Sequence, residues 1–199
     1  MNGAVISHIL STNPGTKKWF CGFSSPDIPL PDIEKYPSLI ILNTDKANGP
    51  GEHWCVVIIF NKNYCEFFDS YGRPPCKYNL EEPILKHVNQ ITYNPKRVQG
   101  NAPTCGHHCL FFALHRASGK TLSEIMYNLY TECLKINDNI VYSFVQNSYG
   151  KIYASFNYPV YIVFLSPGKE PANKKFIYFF SFFLTALVLS TIADDARKK

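Results

Sequence analysis

Four residues have the types and spacing for acyl-transfer chemistry: His53, Asp69, Gln99 and Cys105. A cysteine attacks a carbonyl as its thiolate, so it needs a neighbour that lowers its pKa and takes its proton. An imidazole does both. A carboxylate beside the imidazole fixes its tautomer and orientation. An amide N–H aimed at the developing oxyanion typically contributes ~10²–10³-fold in rate. Cys105 immediately precedes the apolar stretch GHHCLFFALHRA, which reads as a helix. Unpaired N–H groups and the dipole at a helix start stabilise a thiolate. Gln99 lies six residues upstream of Cys105. Its side-chain amide can swing toward the same point and, with the Cys105 backbone N–H, form an oxyanion hole.

The elements that must position these groups begin with a hairpin. HWCVVIIF at 53–60 is apolar and β-branched, as expected for a strand buried on both faces, and YCEFFD at 64–69 returns as its partner. A loop at 61–63 pairs Phe60 with Tyr64, so paired numbers sum to 124. His53 then faces Tyr71. Asp69, two residues away, points to the same side, roughly 7–8 Å from His53 as a diagonal cross-strand neighbour. There Asp69 is expected to accept the Nδ1 proton of the imidazole. A register shift of one residue would put the pair on opposite faces.

Around the hairpin, residues 1–25 read as irregular, and four prolines in 26–38 argue against a helix. Residues 38–43 read as a buried strand, 80–89 as a short helix and 91–98 as a short strand. The helix at 106–117 is apolar almost all round and therefore central, with Gly119 as its stop. Thr121 and Glu124 form a capping box that opens a helix over 121–134. Residues 139–149 fit a helix or a strand. The expected organisation is one folded domain over 1–150, a linker over 151–175, and an 18-residue uncharged segment over 176–193 with a charged tail at 194–199. As a helix that segment is about 27 Å long, near the thickness of a bilayer's hydrocarbon core. It reads as a C-terminal membrane anchor, the alternative being a helix buried on the protein.

Composition narrows the class. Of 199 residues, 46% are hydrophobic and 18% charged, which excludes a disordered chain. The net charge is +5, but residues 1–150 carry 13 Lys+Arg against 12 Asp+Glu, leaving +1, while 151–199 carry 7 against 3. The domain is near neutral, so charge gives nucleic-acid binding no support. Seven cysteines in a chain without a signal-like start point to a reducing intracellular compartment and free thiols.

Each site residue has a structural reading beside the chemical one. His53 would be a capping histidine, Asp69 a turn former, Gln99 an exposed loop residue and Cys105 a core thiol, although Pro103-Thr104-Cys105-Gly106 is a poor core segment. Trp54 reads as packing near the site. A metal site built from Cys105, His107, His108 and Cys109 is the chemical rival, but structural zinc usually draws ligand pairs from two segments, and only one cluster is present. His107 and His108 are then expected to border the cleft or face solvent. Cys21, Cys55, Cys65, Cys76 and Cys133 are expected to pack as small apolar groups.

His53-Trp54, Asp69-Ser70-Tyr71-Gly72 and Gln99-Gly100 leading to Cys105-Gly106 resemble the adenovirus-type cysteine proteases, including relatives in Maverick/Polinton-type elements and DNA viruses. More distantly they resemble the SUMO/ubiquitin-like-specific proteases. The resemblance spans roughly residues 19–146. It implies an α+β, papain-like fold with a Cys-bearing central helix on a mostly antiparallel sheet. It implies His53 as base, Asp69 as orienter, Cys105 as nucleophile and Gln99 as oxyanion donor, with precursor polypeptides as substrates. It also implies a DNA or basic-peptide activator, no chemically required cofactor, and a host nucleus or virion as location. The Asp in place of a frequent Glu, and the six-residue Gln-to-Cys gap, lean toward the SUMO-protease side. A ubiquitin-like-modifier isopeptidase and an inactive membrane-tethered protein are the alternatives.

Overall fold

The hairpin forms as the sequence dictates. In the computed structural model, β3 (Trp54–Asn61) and β4 (Tyr64–Phe68) pair antiparallel, and from Val56↔Phe68 to Ile59↔Cys65 the partners keep the expected register. The register shifts between Ile59 and Asn61, so Tyr64 pairs with Asn61 rather than Phe60 and a two-residue turn remains. The structure describes residues 1–129 and 131–157, with side chains described to Gly150.

Three further strands complete the sheet: β1 (Phe20–Ser24), β2 (Ser38–Asn43) and β5 (Ile91–Tyr93), in the order β1-β2-β3-β4-β5. The two inner pairings are antiparallel, while β1 runs parallel to β2 and β5 parallel to β4. The mostly antiparallel sheet expected from the sequence is therefore mixed. Long connections join β1 to β2 and β4 to β5, which allows the parallel pairings at both edges.

Period-two alternation sorts the strand residues onto two cores. Leu39, Ile41, Val56, Ile58 and Phe68 pack with the large helices on one face. Ile40, Leu42, Val57, Ile59 and Phe67 pack with Leu80, Ile84 and Val88 on the other. This double burial explains the continuous apolar run of β3. The helices are α1 (Gly3–Thr12), α2 (Glu81–Leu85), α3 (Cys105–Ala117), α4 (Leu122–Asn128) and α5 (Leu134–Asn157). The central helix α3 buries every residue from Gly106 to Leu114. Phe112 stacks on Phe68 with ring centroids 4.6 Å apart, pinning α3 to β4.

Residues 1–25 are not irregular. Asn2 caps α1 by accepting the Val5 N–H at 3.0 Å, and Val5, Ile6, Ile9 and Leu10 fill one buried stripe. Helix α4 is shorter than 121–134, but its capping box is present. The undecided stretch 139–149 belongs to α5, which passes through a non-helical Tyr149 and continues to Asn157, beyond the expected boundary at Gly150. The chain divides into two compact units, Met1–Tyr153 and Ala154–Lys199. The rest of the expected linker, the segment 176–193 and the tail 194–199 lie outside the described residues. Among the described residues no helix is long and apolar enough to cross a membrane.

Candidate active site

His53 sits just before β3 and Asp69 just after β4, at one end of the hairpin. Their side chains meet: His53 Nε2 lies 2.6 Å from Asp69 Oδ1. The sequence expectation assigned this contact to Nδ1, and the structure reverses it. The Cys105 thiol stands close enough to the His53 ring for each to shift the other's charge state, and with Nε2 on Asp69 the nitrogen left for the sulfur is Nδ1. The imidazole therefore bridges the carboxylate and the thiol. Tyr71, its expected cross-strand neighbour, stacks on the ring at 4.5 Å.

Asp69 is completely buried and its oxygens are saturated. Oδ1 also accepts the Tyr71 N–H, while Oδ2 accepts the Arg73 N–H and the Tyr78 hydroxyl, each at 2.9 Å. Asn94 holds the Asp69 backbone from both sides, accepting its N–H and donating to its carbonyl. This turn depends on Gly72, whose φ is +71° and whose missing Cβ would stand 2.5 Å from the Lys96 carbonyl carbon. Burial opposes ionisation of Asp69, yet the His53 and backbone hydrogen bonds outweigh it and hold its pKa below the usual carboxylate value.

Cys105 is the first residue of α3, and no acidic residue stands in the first turn. The positive end of the helix is thus left to the sulfur. Burial pushes the thiol up, but hydrogen bonds from His53 and from the Trp54 and Gly106 N–H groups, with the charge of His53, pull it below its ordinary value. For His53 burial works against the charged ring. Its hydrogen bonds and Coulombic attraction to Asp69 and Cys105 prevail, raising it to about 9. Both shifts favour a thiolate–imidazolium pair over the neutral pair.

Gln99 is buried, 1% exposed, which removes the exposed-loop reading. Its Oε1 accepts the Ser70 hydroxyl at 2.6 Å, and its Nε2 donates to the Ala102 carbonyl at 2.8 Å. One Nε2 hydrogen remains for a substrate oxygen. The loop that carries it is tied down by residues the sequence did not flag. Asp138 accepts the Gly100 N–H, the Thr104 hydroxyl and a proton from His108 Nε2. Asn137 donates to the Val98 carbonyl. Both belong to α5, a helix the sequence left undecided, so no spacing pointed to them.

His107 and His108 are buried, 3% and 0% exposed, rather than bordering a cleft or facing solvent, because α3 is enclosed on every side. The Cys-His-His-Cys cluster does not converge. Among the described residues the one group of three with convergent ligand atoms is His53, Cys55 and Asp69, within 4.8 Å of one another. Cys55 is fully buried beside Asp69, and burial pushes its thiol well above its ordinary pKa. All seven cysteines are free. Cys76 and Cys133 are exposed, not packed as the sequence suggested.

No family model matches the chain. A cysteine protease of African swine fever virus is 26% identical over 117 residues, covering 48% of this chain and 43% of that protein. The chain is a weak, partial relative of a viral cysteine protease. It spans less than half the length of that relative. The crystal structure of the African swine fever virus protease matches with a TM-score of 0.33 at 21% identity, over 50% of this chain and 41% of that one. The similarity found is to this enzyme rather than specifically to the adenovirus proteases.

Proposed function

We propose that this protein is a cysteine peptidase of the adenovirus-type and SUMO-protease clan, with a papain-like arrangement of helix and sheet. The observation that carries the reading is the His53 ring held between buried Asp69 and the Cys105 thiol at the start of a buried helix. The weak similarity to a viral cysteine protease supports it. Cys105 Sγ attacks the peptide carbonyl carbon, and the carbonyl π electrons move to oxygen. The oxyanion receives the Cys105 N–H, which has no intrahelical acceptor, and the remaining Gln99 Nε2–H. As the C–N bond breaks, His53 gives its Nδ1 proton to the leaving amine. Neutral His53 then takes a proton from water, which attacks the thioester and releases the acid and Cys105. Asp69 keeps its negative charge and holds Nε2–H throughout. The substrates in this reading are precursor proteins of a DNA virus or related element.

The test is incubation of the purified full chain with a proteome-derived peptide library, with cut ends mapped by mass spectrometry. The wild type produces defined cuts and Cys105→Ala none. Equal cutting by Cys105→Ala would overturn the reading.

A further inference from the structure

Two arginines stand near the proposed leaving-group side of the site. Arg73 and Arg97 lie over the same Tyr71 ring, their guanidinium carbons 5.4 Å and 5.2 Å from its centroid. Tyr71 in turn stacks on His53 at 4.5 Å, so both cations stand no more than about 10 Å from the imidazole. Both residues are exposed. Among the described residues no carboxylate approaches either within ion-pair distance.

The two are held differently. Arg97 donates Nε–H to the Gln99 carbonyl at 2.7 Å and an NH2 hydrogen to the Gly100 carbonyl at 2.9 Å, leaving its other guanidinium hydrogens unused by these bonds. It is therefore pre-oriented, and little rotamer entropy is lost when it binds an anion. Arg73 has its backbone N–H on Asp69, and its guanidinium rests over Tyr71. Two cations held at one ring without a counter-ion repel each other, and a bound carboxylate relieves that repulsion. Guanidinium groups match carboxylates in forked geometry.

The chemistry sets where such a carboxylate lies. His53 must reach the leaving nitrogen to protonate it, so the residues following the scissile bond run past the His53–Tyr71 side. At ~3.3 Å per extended residue, a distance of about 10 Å corresponds to two or three residues. We propose that Arg73 and Arg97 form a substrate subsite that selects polypeptides with Asp or Glu two or three residues downstream of the cut. This rests on the peptidase reading above and deepens it.

The experiment extends the library digest to Arg73→Glu and Arg73→Lys, in full-length protein. Arg73 is chosen because its side chain is exposed and its variants keep the backbone N–H that Asp69 accepts. Wild type and Arg73→Lys should show acidic residues enriched at those positions. Matched peptides carrying Glu rather than Gln there should be cut about three- to tenfold more efficiently in kcat/KM, the preference shrinking as salt rises. Arg73→Glu should reverse the preference toward Lys. Cutting by the wild type with no acidic preference would overturn the subsite and leave the peptidase reading standing. No cutting by the wild type would overturn both. A change in response to added DNA, with peptide preference unaltered in Arg73→Glu, would make the patch a nucleic-acid contact and also overturn it.

Discussion

His53 and Cys105 depend on each other for their charge. The imidazole keeps its proton because a thiolate and a carboxylate flank it, and the thiol loses its proton because the imidazolium faces it. In the proposed mechanism the active form is the ion pair, which fixes the sign of the pH dependence. On the acid side, hydrolysis rises as Cys105 ionises, below the ordinary thiol value of 9.0. On the alkaline side it falls as His53 loses its proton, at about 9. A kcat/KM profile should thus be bell-shaped with its alkaline limb near pH 9. In Asp69→Asn the imidazolium loses its carboxylate, and that limb should move down by about one unit or more. Gln99 acts on a different quantity. Its amide is buried and held by Ser70 and Ala102, so it cannot follow the substrate and serves only an oxygen that reaches it. Gln99→Ala should lower kcat by about 10²-fold with a smaller change in KM, as measured with one cleavable peptide. An unchanged kcat would make Gln99 a structural residue.

At the scale of elements, two straps hold the site. The turn after β4 wraps its backbone N–H groups around Asp69, and the start of α5 grips the loop between Val98 and Thr104. The second strap yields a prediction with two readouts. Asp138→Ala leaves the Gly100 N–H, the Thr104 hydroxyl and His108 without their acceptor, which should destabilise the fold by about 1–3 kcal/mol in denaturant titration. It should also lower kcat about tenfold or more by loosening Gln99, while the alkylation rate of Cys105 stays near wild type, since the His53–Asp69 side is untouched. Equal losses in alkylation and turnover would contradict this division. The first strap was legible in part. Asp69-Ser70-Tyr71-Gly72 stood out as a motif, and the register from Ile59 onward matched the expectation although the turn is one residue shorter and a register shift absorbs the difference. The second was not, because Asp138 lies 38 residues from Gly100 and no periodicity links them. The direction of the imidazole was likewise unreadable. Strand register brings His53 and Asp69 to one end of the hairpin but does not choose the ring flip.

Across the whole molecule, the sheet carries an apolar core on each face, and the helix bearing Cys105 is fixed through only one of them. Phe112 is the largest fully buried side chain of α3 and stacks on Phe68, immediately before Asp69. Phe112→Ala should cost about 3–5 kcal/mol in equilibrium unfolding. A loss below 1 kcal/mol would mean that α3 is anchored elsewhere. The apolar strands and the central helix were legible because each is a long run of one character. Helix α1 was not, although Asn2 and the Val5, Ile6, Ile9, Leu10 stripe carry its signal, because Gly3 and the polar residues between them break the run. The parallel edges escaped because strand direction depends on where long connections return the chain.

The most direct test of an activated Cys105 uses the protein's own cysteines as controls. Seven thiols are free, and Cys76 and Cys133 are exposed while Cys105 is only partly so. By exposure alone, alkylation by iodoacetamide should favour Cys76 and Cys133. By thiolate content it should favour Cys105. Peptide mapping after brief labelling at pH 6 should find one dominant adduct, on Cys105, lost in His53→Ala. Adducts on Cys76 and Cys133 with Cys105 unlabelled would contradict the thiolate–imidazolium pair and, with it, the proposed chemistry.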